Sequence, residues 1–194
     1  MLILKALLQT GKVDFEGAQY KAHGTVSGPV DVPVMVGALQ RGSFELAGAI
    51  SDGAITWLCP APYLREVALP AMKAAAKSAG RATPPLIAHL AVSVHDNADE
   101  VREAVREQIM NIRLPFYQRM LRDAGFPEAL EGKWSDRLVD AAVAWGDEQL
   151  EAARVKELLA LGSAEVLIAP IPAGKDKKAS LERILRFVAD VAKG

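Results

Sequence analysis

The stretch Val34 to Pro60, VMVGALQRGSFELAGAISDGAITWLCP, constrains the fold more than any other part of this chain. An apolar run, Val32–Val36, leads straight into Gly37-Ala38. A helical pattern follows over 43–51, and Asp52-Gly53 turns the chain into a second apolar run, Ala54–Leu58. Strand, helix and strand in so short a space make one βαβ unit, whose two strands lie parallel. A helix that starts directly after a strand aims its first unpaired N–H groups at whatever sits above the sheet. The unit therefore puts the expected ligand face at the carboxyl ends of the strands.

The alternation continues. Strands are expected at Val32–Val36, Ala54–Leu58, Leu86–Val94 and Glu165–Ala169, and helices at 43–51, 62–79, 97–111, 147–161 and 180–192. This order implies an α/β fold with a parallel sheet and right-handed crossovers. Ahead of it, residues 1–10 read as the last turns of a helix stopped by Gly11, Lys12 to His23 as a hairpin, and 24–31 as a loop. Between Ile112 and Gly146 the pattern breaks. LPFYQRMLRDAGFP and WSDRLVDAAVAWG each read as a helix, the second capped by Ser135. This insertion follows the third strand, so it should hang over the C-terminal face as a lid or an interface. The chain is expected to form a single domain. Its parts are residues 1–31, the first three strand–helix units over 32–111, the insertion over 112–146, and a last helix–strand–helix over 147–194. A closed (β/α)₈ barrel needs eight strand–helix units, so the expected strands give either a small open sheet or half a barrel.

Composition removes several functions. The formal net charge of -1 leaves no basic stripe for nucleic acid. No apolar run approaches the ~20 residues that cross a membrane. One cysteine, Cys59, makes no intrachain disulfide, and the N-terminus lacks the pattern of a signal peptide, so a cytoplasmic location is expected. His23, His89, His95 and Cys59 have no metal-ligand spacing, and no metal is expected. No nucleophile elbow occurs, and no set of residues can be named as catalytic.

The candidate site residues cluster at strand ends. Gly37, Ala38, Leu39, Gln40, Arg41, Gly42 and Ser43 form a strand-to-helix turn. Its glycines allow close backbone approach, the helix start offers N–H groups, and Arg41 adds positive charge, which together suit a phosphate. A plain turn with a solvated arginine has the same sequence. Trp57 and Cys59 end the second strand, where barrel enzymes hold ligands, and Trp57 could stack on a flat ring; a core Trp and an inert small thiol are the alternatives. His89 lies within the third strand, and facing inward it could reach a ring or a substrate carbonyl. A hydrogen-bonded core histidine is equally compatible. Asp96 or Asn97 is expected to cap the next helix, and Arg102, Glu103, Arg106 and Glu107 to form a solvated face. Residues 173–178 read as a charged surface loop.

The segment VGALQRGSFELAGAISDGAITWLCPAPYLREVALPAMKAAAKSAGR resembles the C-terminal half of luciferase-like oxidoreductases, especially the branch using the deazaflavin F420. Further segments occur in the same order: KALLQTGKVDFEGAQYKAHG, PLIAHLAVSVHD, LPFYQRMLRDAGFP, GDEQLEAARVKELLALG and AEVLIAPIP. The resemblance implies that the four strands are the fifth to eighth of a TIM-type barrel, making the chain a half-barrel with outer helices. It implies hydride transfer or monooxygenation of a small organic substrate, with F420 as cofactor and FMN as the alternative. The cofactor would rest on Gly37–Ser43, Trp57 and Cys59, and the substrate on His89 and Trp57. Gln40-Arg41 stands where relatives commonly carry Gly-Pro. A truncated half-barrel without turnover is the competing reading. On either reading a half-barrel leaves strands 32–36 and 165–169 as unpaired edges and exposes an apolar concave face, so a homodimer or higher oligomer is expected.

Overall fold

A computed structural model describes residues 1–162 and 165–193. The chain opens with a short helix α1 (Leu2–Lys5) that widens into a π-helical turn over Ala6–Thr10 and stops at Gly11. Gly11 has φ 77°, a left-handed value that glycine adopts without steric cost. Strands β1 (Lys12–Glu16) and β2 (Lys21–Thr25) then form an antiparallel hairpin. His23 bridges Asp14 and Glu16 within it.

The body is a five-stranded parallel sheet. Its strands are β3 (Met35–Gly37), β4 (Gly53–Ile55), β5 (Leu86–Val94), β6 (Val143–Gly146) and β7 (Glu165–Pro170). Ile87 of β5 pairs with Ile55 on β4 and with Glu165 on β7, so β4 and β7 flank β5 on opposite edges. The expected strands therefore stand in sequence order, β3-β4-β5-β7. Helices flank the sheet: α2 (Arg41–Ile50), α3 (Ala61–Tyr63) running through a π turn into α4 (Leu69–Ser78), α5 (Ala98–Gln108), α8 (Glu148–Ala160) and α9 (Lys177–Val191). The insertion supplies α6 (Pro115–Asp123) and α7 (Asp136–Ala142).

Three boundaries differ from the sequence reading. The first strand starts at Met35, because the Val34 N–H donates to the Asp52 carboxylate at 2.8 Å, outside the ladder, and Pro33 has no N–H to give. The second strand ends at Ile55, before Trp57-Leu58, since Leu58 sits at φ 58° and breaks the extended path. The second insertion helix stops at Ala142. Val143–Gly146 leaves it as β6 and pairs with Ala91–Val94, the far half of β5. A short Ala/Val run suits either state, and the open edge of β5 decides it.

Two apolar clusters fill the space between sheet and helices. In the larger, Phe44 and Ala47 of α2 pack with Met72 of α4, and all three are fully buried. Gly48 allows this approach, since a Cβ there would collide with the Met72 carbonyl. In the smaller, Val92 and Val94 meet Val155, Ile184 and Phe187 of α8 and α9. The N-terminal helix is tied down by polar contacts: Asp52 accepts from Lys5 Nζ at 2.5 Å and from Gln9 at 3.1 Å.

Caps follow the local sequence. Asn97 accepts from the N–H groups of Asp99 and Glu100, and Ser135 from that of Leu138. The expected solvated face of α5 is only partly so. Arg102 reaches Asp140 on α7 at 2.8 Å and lies 5.9 Å from the Trp145 ring centre, while Arg106 pairs with Asp136. These arginines fasten the insertion to the sheet's outer helix.

Candidate functional site

An open cleft of about 470 Å³ lies at the carboxyl ends of β3, β4 and β5. Its walls are Gly37, Ala38, Leu39, Gln40, Ser43, Ile55, Thr56, Trp57, His89, Phe116 and Tyr117. Most of the residues singled out from sequence thus converge on one space, although they come from three strands. Arg41, Gly42 and Cys59 are outside its lining.

The turn is locked from within. Ser43 Oγ accepts from the N–H groups of Leu39 at 3.3 Å and Gln40 at 3.1 Å, and donates to the Gln40 carbonyl at 2.7 Å. The Ala38 N–H is spent on Ile55. That leaves the N–H groups of Arg41 and Gly42, in the first turn of α2, without a protein acceptor among the described residues. A second anchor is Tyr63, buried against Phe44, whose hydroxyl donates to the Leu39 carbonyl at 3.1 Å. Burial pushes the Tyr63 phenol up to about 12, so it remains a donor. Gly37 has an ordinary φ, and a Cβ placed on it would meet nothing within 4 Å. Neither backbone strain nor packing inside the protein calls for glycine there; the space beside it is open cleft. The Arg41 side chain is exposed and takes part in none of the ion pairs of the described residues.

Across the cleft, Trp57 and His89 stack obliquely, with ring centres 4.2 Å apart and planes at 43°. Burial holds the His89 pKa below its ordinary value, so the ring is neutral at pH 7 and offers one donor and one acceptor nitrogen. Leu58 is responsible for the Trp57 placement. It is 1% exposed and left-handed, a conformation that costs a β-carbon residue roughly 1–2 kcal/mol. The kink lets Trp57 face the cleft and turns Cys59 toward a separate cavity. Burial pushes the Cys59 thiol up to about 12, which suits an inert packing group. Phe116 and Tyr117 are cleft residues the sequence reading did not name. Gln40 Nε2 donates to the Phe116 carbonyl at 3.4 Å, which holds α6 against the turn.

The arrangement is an α/β sheet presenting a helix start, an aromatic pair and an apolar wall to one cleft. The sequence model of the luciferase-like monooxygenase family matches residues 1–171, and the chain belongs to that family. No curated protein matches it. Among solved structures it is similar to an F420-dependent secondary alcohol dehydrogenase in complex with an F420-acetone adduct (TM-score 0.72, 16% identity, 97% of this chain and 58% of that one). It is also similar to a coenzyme F420-dependent tetrahydromethanopterin reductase from Methanopyrus kandleri (0.66, 22%, 94% and 58%). A third is the oxygenating constituent of 3,6-diketocamphane monooxygenase from Pseudomonas putida, in complex with FMN (0.60, 17%, 97% and 61%). The fold is shared with all three, and the chain spans less than two thirds of the length of each. Among the described residues no helix is long and apolar enough to cross a membrane.

Proposed function

We propose that this chain is the cofactor-binding second half of a luciferase-like oxidoreductase of the cytoplasm, with F420 as cofactor, FMN as the alternative, and a small organic substrate. One observation carries the reading: the turn after β3, Trp57 and His89 line a single cleft. The residues present fit such a group. The free N–H groups of Arg41 and Gly42, next to the cleft rather than among its walls, suit its phosphate, the open side of Gly37 gives the backbone room to approach, and Trp57 offers a flat face to a ring. Arg41 adds charge from the rim. A bound deazaflavin or flavin supplies hydride transfer. His89 can donate to or accept from a polar atom of the substrate, and Phe116 and Tyr117 keep water off the ring.

A second reading has its own support. β3 pairs only with β4, and β7 only with β5, among the described residues. Two free edges favour a half-barrel completed by another polypeptide or a second copy, assembling without turnover of its own. Titrating the purified chain with F420 and with FMN, followed by fluorescence, decides between them. Saturable binding of either supports the first reading. No binding by a chain that light scattering shows to be oligomeric supports the second.

A further inference from the structure

We propose that the chain carries a second ligand site, separate from the cleft, that takes a small carboxylate with an apolar body. The site is a cavity of about 290 Å³ between α3, the insertion and α8. Its walls are apolar: Cys59, Ala61, Leu90, Phe126, Val143 and Leu158. Its two charged residues are Arg154 and Glu157 of α8.

These two charges are not equivalent. Glu157 accepts from the Arg65 guanidinium at 2.8 Å, so its charge is already compensated. Arg154 is half-buried, yet it enters none of the hydrogen bonds or ion pairs of the described residues. The nearby Glu151, one turn earlier on α8, is wholly buried; it lies within electrostatic reach of Arg154 but makes no hydrogen bond to it. A half-buried arginine without an acceptor is an incomplete interaction, and the planar fork of its guanidinium matches a carboxylate. The apolar walls give such an anion a place for its body. The volume exceeds the ~150 Å³ that accommodates benzene in an apolar cavity, so an aromatic or medium-chain acid fits where a bare acetate would gain little.

The site does not depend on the cofactor reading, because Cys59 turns away from Trp57 and none of the cleft residues lines this cavity. The test is calorimetric titration of the full chain with benzoate and octanoate, and with benzyl alcohol and octanol as neutral matches. Wild type is expected to bind the acids at least tenfold more tightly than the alcohols. Arg154→Gln, which removes the charge and keeps a polar side chain, should abolish that preference and leave alcohol binding unaltered. Ala142→Leu, which fills the wall, should weaken both classes. Absence of acid binding by wild type at millimolar concentration, or an acid preference unchanged in Arg154→Gln, overturns the proposal.

Discussion

The Tyr63 hydroxyl donates to the Leu39 carbonyl across 3.1 Å, from a ring buried beneath the turn that opens the cleft. The turn is therefore held from below as well as by Ser43. Removing one neutral hydrogen bond costs roughly 0.5–1.5 kcal/mol. Tyr63→Phe should lower stability by that amount in urea denaturation while keeping the fold by circular dichroism. Cofactor affinity should fall severalfold, since the loosened turn no longer presets the N–H groups.

Gly37 and Arg41 should separate in a binding assay. A valine at 37 fills the open space that a cofactor backbone contact needs, and we expect a loss of about tenfold or more, ~1.4 kcal/mol. Arg41 is exposed, so Arg41→Ala should cost only about two- to fivefold, the scale of a surface ion pair, and the difference should vanish at high salt. Equal effects, or none in either variant, would move the phosphate away from this turn.

Glu151 sets a pH dependence with a definite sign. It is fully buried, neither carboxyl oxygen has a hydrogen-bond partner, and burial raises it from 4.5 to about 7. Arg154 opposes the shift and Asp147 adds to it. The folded state holds the proton more tightly than the unfolded chain does. Stability should fall as pH rises from about 4.5 to about 7 and then level off, by up to about 3 kcal/mol. Glu148, lowered to about 2 by Arg183, acts in the opposite sense and only below about 4.5. Denaturation midpoints from pH 4.5 to 8 should flatten in Glu151→Gln; a slope that survives the substitution would assign it to another group.

Asp52 gathers Lys5, Gln9 and the Val34 N–H on one carboxylate. Asp52→Ala should destabilise by roughly 1–3 kcal/mol, because a charge-assisted contact is lost and a half-buried lysine is left without its partner. Limited proteolysis should then cut first near Gly11, where the N-terminal helix joins the hairpin.

The strand–helix order was legible because apolar runs, Gly37 and Asp52-Gly53 punctuate the chain at the right intervals. The cleft was legible in outline, since a residue at a parallel strand's carboxyl end has few places to point. Most of the departures share one cause: long-range partners that leave no local mark. Val34 gives its N–H to Asp52 across the helix, and Val143–Gly146 becomes a strand only because β5 runs on past β4. Arg102 and Arg106 read as solvated because Asp136 and Asp140 lie a whole insertion away. Phe116 and Tyr117 follow Pro115 in an ordinary helix, and only the Gln40 contact shows which space they enclose. Leu58 gave no signal, because a left-handed leucine looks like any other in sequence.

Strand β5 bears neighbours on both sides: β4 at its start, β6 over its last residues, and β7 along most of its other edge. A segment clamped in this way is the last to open in local fluctuations. Amides within Ile87–Val94 should be the slowest in the chain to exchange with deuterium. Because β6 is the return arm of the insertion, that slow clock extends to α7, which Arg102 and Arg106 also hold. Helix α6 shares this hold: Met120 and Leu121 are fully buried in the larger core cluster, and Gln40 Nε2 donates to the Phe116 carbonyl. The cleft wall that Phe116 and Tyr117 supply is thus backed by the core, and the cleft is expected to stand open before any ligand arrives.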